Sequence, residues 1–171
     1  MPLSQRSLTV DTTKLEDLPR LLEVWESSVR ATHSFLGEQD IQVLVPLVKA
    51  ELSSFSPIHC LRNEEGKPYA FLGVAGAKIE MLFVHADHRG SGAGRLLSEF
   101  AIRVLNADSV DVNEDNEQAI GFYLHLGFRQ VGRSRMDSTG RPFPILHLAL
   151  KHPWSRRPLP SSLSVSICGA K

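Results

Sequence analysis

KIEMLFVHADHRGSGAGRLL, residues 78–97, decides the fold. Its first part, Lys78 to His85, is an apolar run whose length and flanking glycines favour a buried strand over a helix. Three glycines follow, Gly90, Gly92 and Gly94, and then Leu96, Leu97, Phe100, Ala101, Val104 and Leu105 return to helical spacing. The stretch therefore reads as a strand, a glycine-rich turn and the start of an amphipathic helix. Backbone N–H groups at a helix start are unpaired, the helix dipole adds partial positive charge, and glycines let an anion approach the main chain. Arg89 and Arg95 bring full positive charge to either end, so Arg89, Gly90, Ser91, Gly92, Ala93, Gly94 and Arg95 are expected to cradle a phosphate or pyrophosphate. A nucleotide P-loop would need Gly-Lys followed by Ser or Thr, whereas Gly94 is followed by Arg95 and Leu96; a dinucleotide fingerprint would put Arg95 or Leu97 where its third glycine belongs. The plainer alternative is a turn that only joins strand to helix.

Working outward, Ser7 to Val10 reads as a first strand, and Thr13 with Glu16 as a capping box for a helix carrying Leu15, Leu18, Leu22, Trp25 and Val29 on one face. Pro19 fits only the first turn, which would move the start later. A second stripe runs from Glu38 to Leu52, and Pro46 inside it predicts a kink or two short helices. Ile58 to Leu61 and Tyr69 to Val74 flank the polar segment Asn63 to Pro68 as a hairpin. Downstream come a strand at Ser109 to Val112, then a helix capped by Asp115 and Gln118 and stopped by Gly127. Strands at Phe128 to Val131 and Phe143 to Leu150 close the pattern. The order β, α, α, β, β, β, α, β, α, β, β predicts an α/β fold with a mixed sheet and flanking helices. Residues 1–151 are expected to form one domain, and residues 152–171, rich in Pro and Ser, a tail with little fixed structure.

The chain has 171 residues, 42% of them apolar, enough for a single ordinary core. Nineteen Lys plus Arg balance nineteen Asp plus Glu, so no overall field draws in nucleic acid or anionic lipid. No apolar run approaches the ~20 residues of a membrane span, and the first residues carry no signal-peptide pattern. A cytoplasmic protein is expected, with no nucleic-acid or membrane partner. Cys60 and Cys168 are too few for a disulfide framework and have no metal-ligand spacing, so no metal is expected.

Arg89-Gly90-Ser91-Gly92-Ala93-Gly94 resembles the Arg/Gln-x-x-Gly-x-Gly/Ala motif of the GNAT superfamily of N-acetyltransferases, with the expected apolar strand before it. NEDNEQAIGFYLHLGF, residues 113–128, resembles that superfamily's second block, an asparagine followed by Ala-Ile-x-Phe-Tyr-x-x-x-Gly-Phe. The segments 28–36 and 137–148 are similar to those of small bacterial YjaB-type acetyltransferases. The resemblance implies a GNAT fold, with a mixed, mostly antiparallel sheet splayed between the fourth and fifth strands. It implies acetyl-CoA as cosubstrate, its pantetheine arm pairing along Leu82, Phe83 and Val84 beside Asn116, and its pyrophosphate at Arg89 to Arg95. It also implies an amine acceptor, and Tyr123 as the donor of a proton to the departing thiolate. Relatives usually carry proline where Ala86 stands. Tyr123 has a second reading, because with Ala119 and Ile120 it falls on an apolar helix face and could simply be packed.

Acyl transfer to an amine needs a free lone pair, a partner for the developing oxyanion and a proton for the leaving sulfur. A lysine-like amine, with a pKa near 10.4, is almost wholly protonated at neutral pH, so a base would help. His33, between the first two helices, and Glu80, placed by alternation on the face of Leu82 and Val84, compete for that role, with water as a third choice. A strand N–H around Leu82 would serve the oxyanion. Two other functions remain open at this level: an acyl-CoA-binding sensor of the same fold without efficient turnover, and an interaction module. A monomer and a homodimer are equally compatible with the sequence, and acceptor choice would lie in the loops around His33, Phe55 and Pro142 to Pro144.

Overall fold

The computed structural model describes residues 8–151 and 163–165. Strand β1 (Leu8–Thr12) is followed by helices α1 (Leu18–Thr32) and α2 (Glu38–Ser54), then by the meander β2 (Ile58–Arg62), β3 (Pro68–Ala75) and β4 (Lys78–Val84). Helix α3 (Ala93–Arg103), strand β5 (Ser109–Asn113), helix α4 (Glu117–His125) and the hairpin β6 (Phe128–Ser134) and β7 (Ile145–Leu150) complete the expected order. The sheet runs β6-β7-β5-β4-β3-β2-β1-β8, where β8 is Leu163–Val165, and only β4–β5 and β1–β8 are parallel pairs.

Strand β8 corrects the expectation of an unstructured tail at that point. Leu163-Ser164-Val165 alternates over only three residues, too short to stand out from its Pro- and Ser-rich surroundings. The rest of the tail, with Cys168, lies outside the described residues.

The two faces of the sheet carry two cores. Helices α1 and α2 cover one, where Val24, Trp25, Cys60 and Phe71 are buried; α3 and α4 cover the other, with Leu72, Leu97, Val110 and Phe128. β3 is buried over six successive residues because both its faces are covered. Burial also raises the Cys60 thiol to about 12, which keeps it unreactive.

Two helix expectations need correction. The turn before α1 is closed by Asp17, whose carboxylate accepts the Lys14 N–H at 2.8 Å, and not by a Thr13 and Glu16 box. Helix α2 runs unbroken through Pro46. Pro46 and Gln42 both face solvent, so the Gln42 carbonyl that loses its intrahelical donor can turn to water.

Pairing between β4 and β5 stops early. Lys78 faces Ser109 and Ile79 faces Val110; beyond these the strands diverge, although β4 runs on to Val84 and β5 to Asn113. Below the divergence, side chains tie the halves together: Lys78 Nζ donates to Asp111 Oδ2 at 2.6 Å, and Asp111 Oδ1 meets His147 Nδ1 at 2.6 Å. His147 Nε2 in turn lies 2.7 Å from Ser134 Oγ, which links β7 to β6. Among the described residues no helix is long and apolar enough to cross a membrane.

Candidate active site

A cavity of about 480 Å³ opens where β4 and β5 part. Its walls come from the end of α1 (Ser28, Thr32, His33), from Leu82, Phe83 and Val84 of β4, from the glycine turn, and from Asn116, Gln118, Ala119 and Phe122 of α4.

The glycine turn fits an anion for physical reasons visible in the backbone. Gly90 and Gly92 have φ of +75° and +86°, the left-handed region that side chains rarely adopt. Gly92 is the residue that caps α3. Gly94 lies inside the helix's first turn with ordinary helical φ, and a Cβ there would stand 3.6 Å from the Phe122 ring, in the cavity wall. The Ala93 N–H has only a 3.4 Å contact with Ser91 Oγ, so the donors at this helix start are largely unspent. Arg89 lines the cavity, and its guanidinium donates to Gln118 Oε1 and, at 3.3 Å, to the Ala31 carbonyl, strapping α1 to α4 beside it. Arg95 is exposed and pairs with Glu99 at 3.0 Å.

The edge of β4 follows from alternation. The His85 N–H donates to the Tyr69 carbonyl at 2.8 Å on the β3 side, so Val84 and Leu82 turn their amides the other way, into the gap. Among the described residues this edge has no strand partner past Ile79.

Asn116 is both a cavity wall and the cap of α4: its Oδ1 accepts the Ala119 N–H at 3.1 Å, the role assigned from sequence to Asp115 and Gln118. Tyr123 is buried behind Phe122, with ring centroids 5.0 Å from Phe122 and 5.4 Å from Phe128, and it is not itself part of the cavity lining. Its hydroxyl has no hydrogen bond to a described residue, and burial pushes the phenol far above its ordinary value near 10, so it stays protonated.

The two base candidates part company. His33 lines the cavity, with Nδ1 2.7 Å from Thr32 Oγ1 and its ring 5.2 Å from that of Phe35; burial holds its pKa below the usual 6.5. Glu80 does not reach the cavity. A register shift opposite Gly73 and Val74 leaves Glu80 unpaired in β4, so the alternation that put it on the face of Leu82 and Val84 breaks at that residue. Its carboxylate is instead 3.7 Å from Lys78 Nζ.

A second cavity, about 220 Å³, shares His33 and Phe83 with the first. Trp25, Phe35 and Phe143 give it apolar walls, while Asn113, Asp137 and Arg141 stand among its lining. The sequence reading pointed to this region through Pro142 to Pro144 but missed Asp137 and Arg141. The Asp137-x-x-Gly140-Arg141-Pro142 spacing was the available signal, and it reads as a turn alone. Among the described residues no group of three potential metal ligands is found.

A family model described as an acetyltransferase (GNAT) domain matches residues 57–130. The chain is 37% identical over 142 residues to the peptidyl-lysine N-acetyltransferase YjaB of Escherichia coli, covering 83% of this chain and 96% of that protein. It is 34% identical over 141 residues to the protein of the same description from Salmonella typhimurium, covering 82% and 97%. The solution structure of apo-form YjaB from Escherichia coli matches with a TM-score of 0.76 at 38% identity, over 83% of this chain and 96% of that one. With two relatives above 30% identity along most of its length, and the same fold, the chain belongs to the GNAT superfamily of N-acetyltransferases as a YjaB-like member.

Proposed function

We propose that residues 1–151 form an acetyltransferase that passes the acetyl group of acetyl-CoA to a lysine-type amine by direct attack in a ternary complex. The observation that carries this reading is the junction of two cavities at His33 and Phe83, beside an unpaired strand edge and a helix start with unspent donors. The larger cavity suits the cosubstrate and the smaller one the acceptor. Gly90 to Arg95 would hold the pyrophosphate through main-chain N–H groups. Leu82 and Val84 would pair with the amides of the pantetheine arm, and Asn116 would lie beside it. Bound there, acetyl-CoA supplies an activated acyl group with a thiolate leaving group.

The remaining work falls to this chain's own residues. His33, kept neutral by burial, accepts a proton from the incoming amine. A β4 N–H turned into the gap donates to the oxygen that gains negative charge. Tyr123, whose hydroxyl has no hydrogen bond among the described residues, delivers a proton toward the departing sulfur. Two YjaB relatives described as peptidyl-lysine N-acetyltransferases support lysine as the acceptor. Mass spectrometry of a lysine-containing peptide incubated with acetyl-CoA tests the reading: an added acetyl group on the lysine is expected. Acetyl-CoA binding without transfer to any of a broad set of amines would favour the sensor alternative.

A further inference from the structure

The smaller cavity holds polar groups whose hydrogen-bonding capacity the protein leaves unused. Arg141 Nη1 is buried and has no hydrogen-bond acceptor among the described residues; the nearest carboxylate oxygen among them, Asp40 Oδ1, is 3.9 Å away. Asp137 spends one oxygen on three donors: the Thr139 N–H (2.8 Å), the Thr139 hydroxyl (2.6 Å) and the Arg141 N–H (3.0 Å). Its other oxygen has no hydrogen bond among the described residues. A buried donor left unpaired costs stability, and such a group is retained where something else satisfies it.

The chemistry of the missing partner follows by elimination. A carboxylate would pair with Arg141 but meet Asp137 and Asp40 as like charges. An ammonium would suit Asp137 but stand beside the guanidinium. A peptide amide offers a carbonyl for Arg141 and an N–H for Asp137 on one rigid unit, and carries no charge that needs neutralising. The cavity is also smaller than the ~300 to 1,000 Å³ typical of sites that enclose whole ligands, and its aromatic walls suit an alkyl stem. We propose, resting on the transferase reading above, that Arg141 and Asp137 clamp the main-chain amide flanking the acceptor lysine. They are thereby the residues that set preference for an amide-flanked lysine over a simple alkyl diamine.

The test compares Nα-acetyl-lysine methylamide, free lysine and cadaverine as acceptors, each with acetyl-CoA, in the unaltered chain and in Arg141→Met and Arg141→Lys. A hydrogen bond to a charged group leads us to expect kcat/KM about tenfold or more higher for the blocked lysine than for cadaverine. Arg141→Met should shrink that ratio about tenfold, through KM rather than kcat, and Arg141→Lys should restore part of it. Equal kcat/KM for blocked lysine and cadaverine, a preference for free lysine, or a ratio unmoved by Arg141→Met would each overturn the clamp while leaving the transferase reading intact. Transfer to none of the three would overturn both. The comparison in the unaltered chain decides even if a variant folds poorly.

Discussion

Tyr123 shows how far one side chain can be read. Its position in the Ala-Ile-x-Phe-Tyr block marks it as an acid, its apolar helix face marks it as packed, and in the structure it is buried with no hydrogen bond to its hydroxyl among the described residues. Tyr123→Phe keeps the packing and removes only the proton; kcat should fall roughly 100-fold while acetyl-CoA affinity, measured by calorimetry, stays within a few-fold. An unchanged kcat would leave Tyr123 as a core residue only. His33 carries a pH prediction. Burial lowers its pKa below 6.5, so the neutral, proton-accepting form is favoured in the folded chain. The same shift adds stability that is present above 6.5 and lost as pH falls through the folded pKa. The kcat/KM profile should therefore rise through a pKa below 6.5, and His33→Ala should remove that limb; a limb that persists in the variant would assign it to another group. Gly90, Gly92, Gly94 and Asn116 were legible as neighbours of one cavity because each sits in a short motif beside a helix start. Glu80 was misplaced because an irregularity in strand pairing is invisible to alternation, and Arg141 was missed because the cavity it lines takes other walls, among them His33, Phe35 and Leu36, from far away in the sequence.

Among the elements, the turn into α3 separates two glycines that look equivalent in sequence. Gly92, at φ +86°, would be strained by any side chain, so a substitution there mixes lost stability with lost binding. Gly94 is helical, and a Cβ would meet only ordinary contacts at 3.6 and 3.8 Å. Gly94→Ala should hold or raise the melting temperature, as alanine does in a helix, yet weaken acetyl-CoA binding by narrowing the cradle. Unchanged affinity in a folded Gly94→Ala chain would remove the main-chain cradle from the account. Helices α1 and α3 were legible from period, since each buries one stripe against the sheet, and α4 from cap and stop signals around it. Their ends were not: Asp17 and Asn116 took the capping roles from neighbours that looked equally suitable. The unbroken course of α2 depended on which way Pro46 faces, and a weak stripe does not fix that.

For the molecule as a whole, the order of elements was readable because each period change is long and clear, and the splay because the motifs on either side of it resemble those of a known family. The neighbours of the outermost strand were not readable. Strand β8 lies beside β1 at the end of the sheet farthest from β6, well removed from the gap between β4 and β5. A chain cut after Lys151 would keep every residue assigned to the cavities, and acetyl-CoA affinity should be retained. Without Leu8, Thr9 and Val10 paired to Leu163, Ser164 and Val165, however, the free N–H and C=O groups of β1 become a template for another copy. Sedimentation velocity should then show concentration-dependent self-association that the full chain lacks, and identical sedimentation of the two chains would deny β8 this role. Strand β8 would thus contribute to colloidal behaviour, by shielding a sheet margin against strand exchange at high protein concentration.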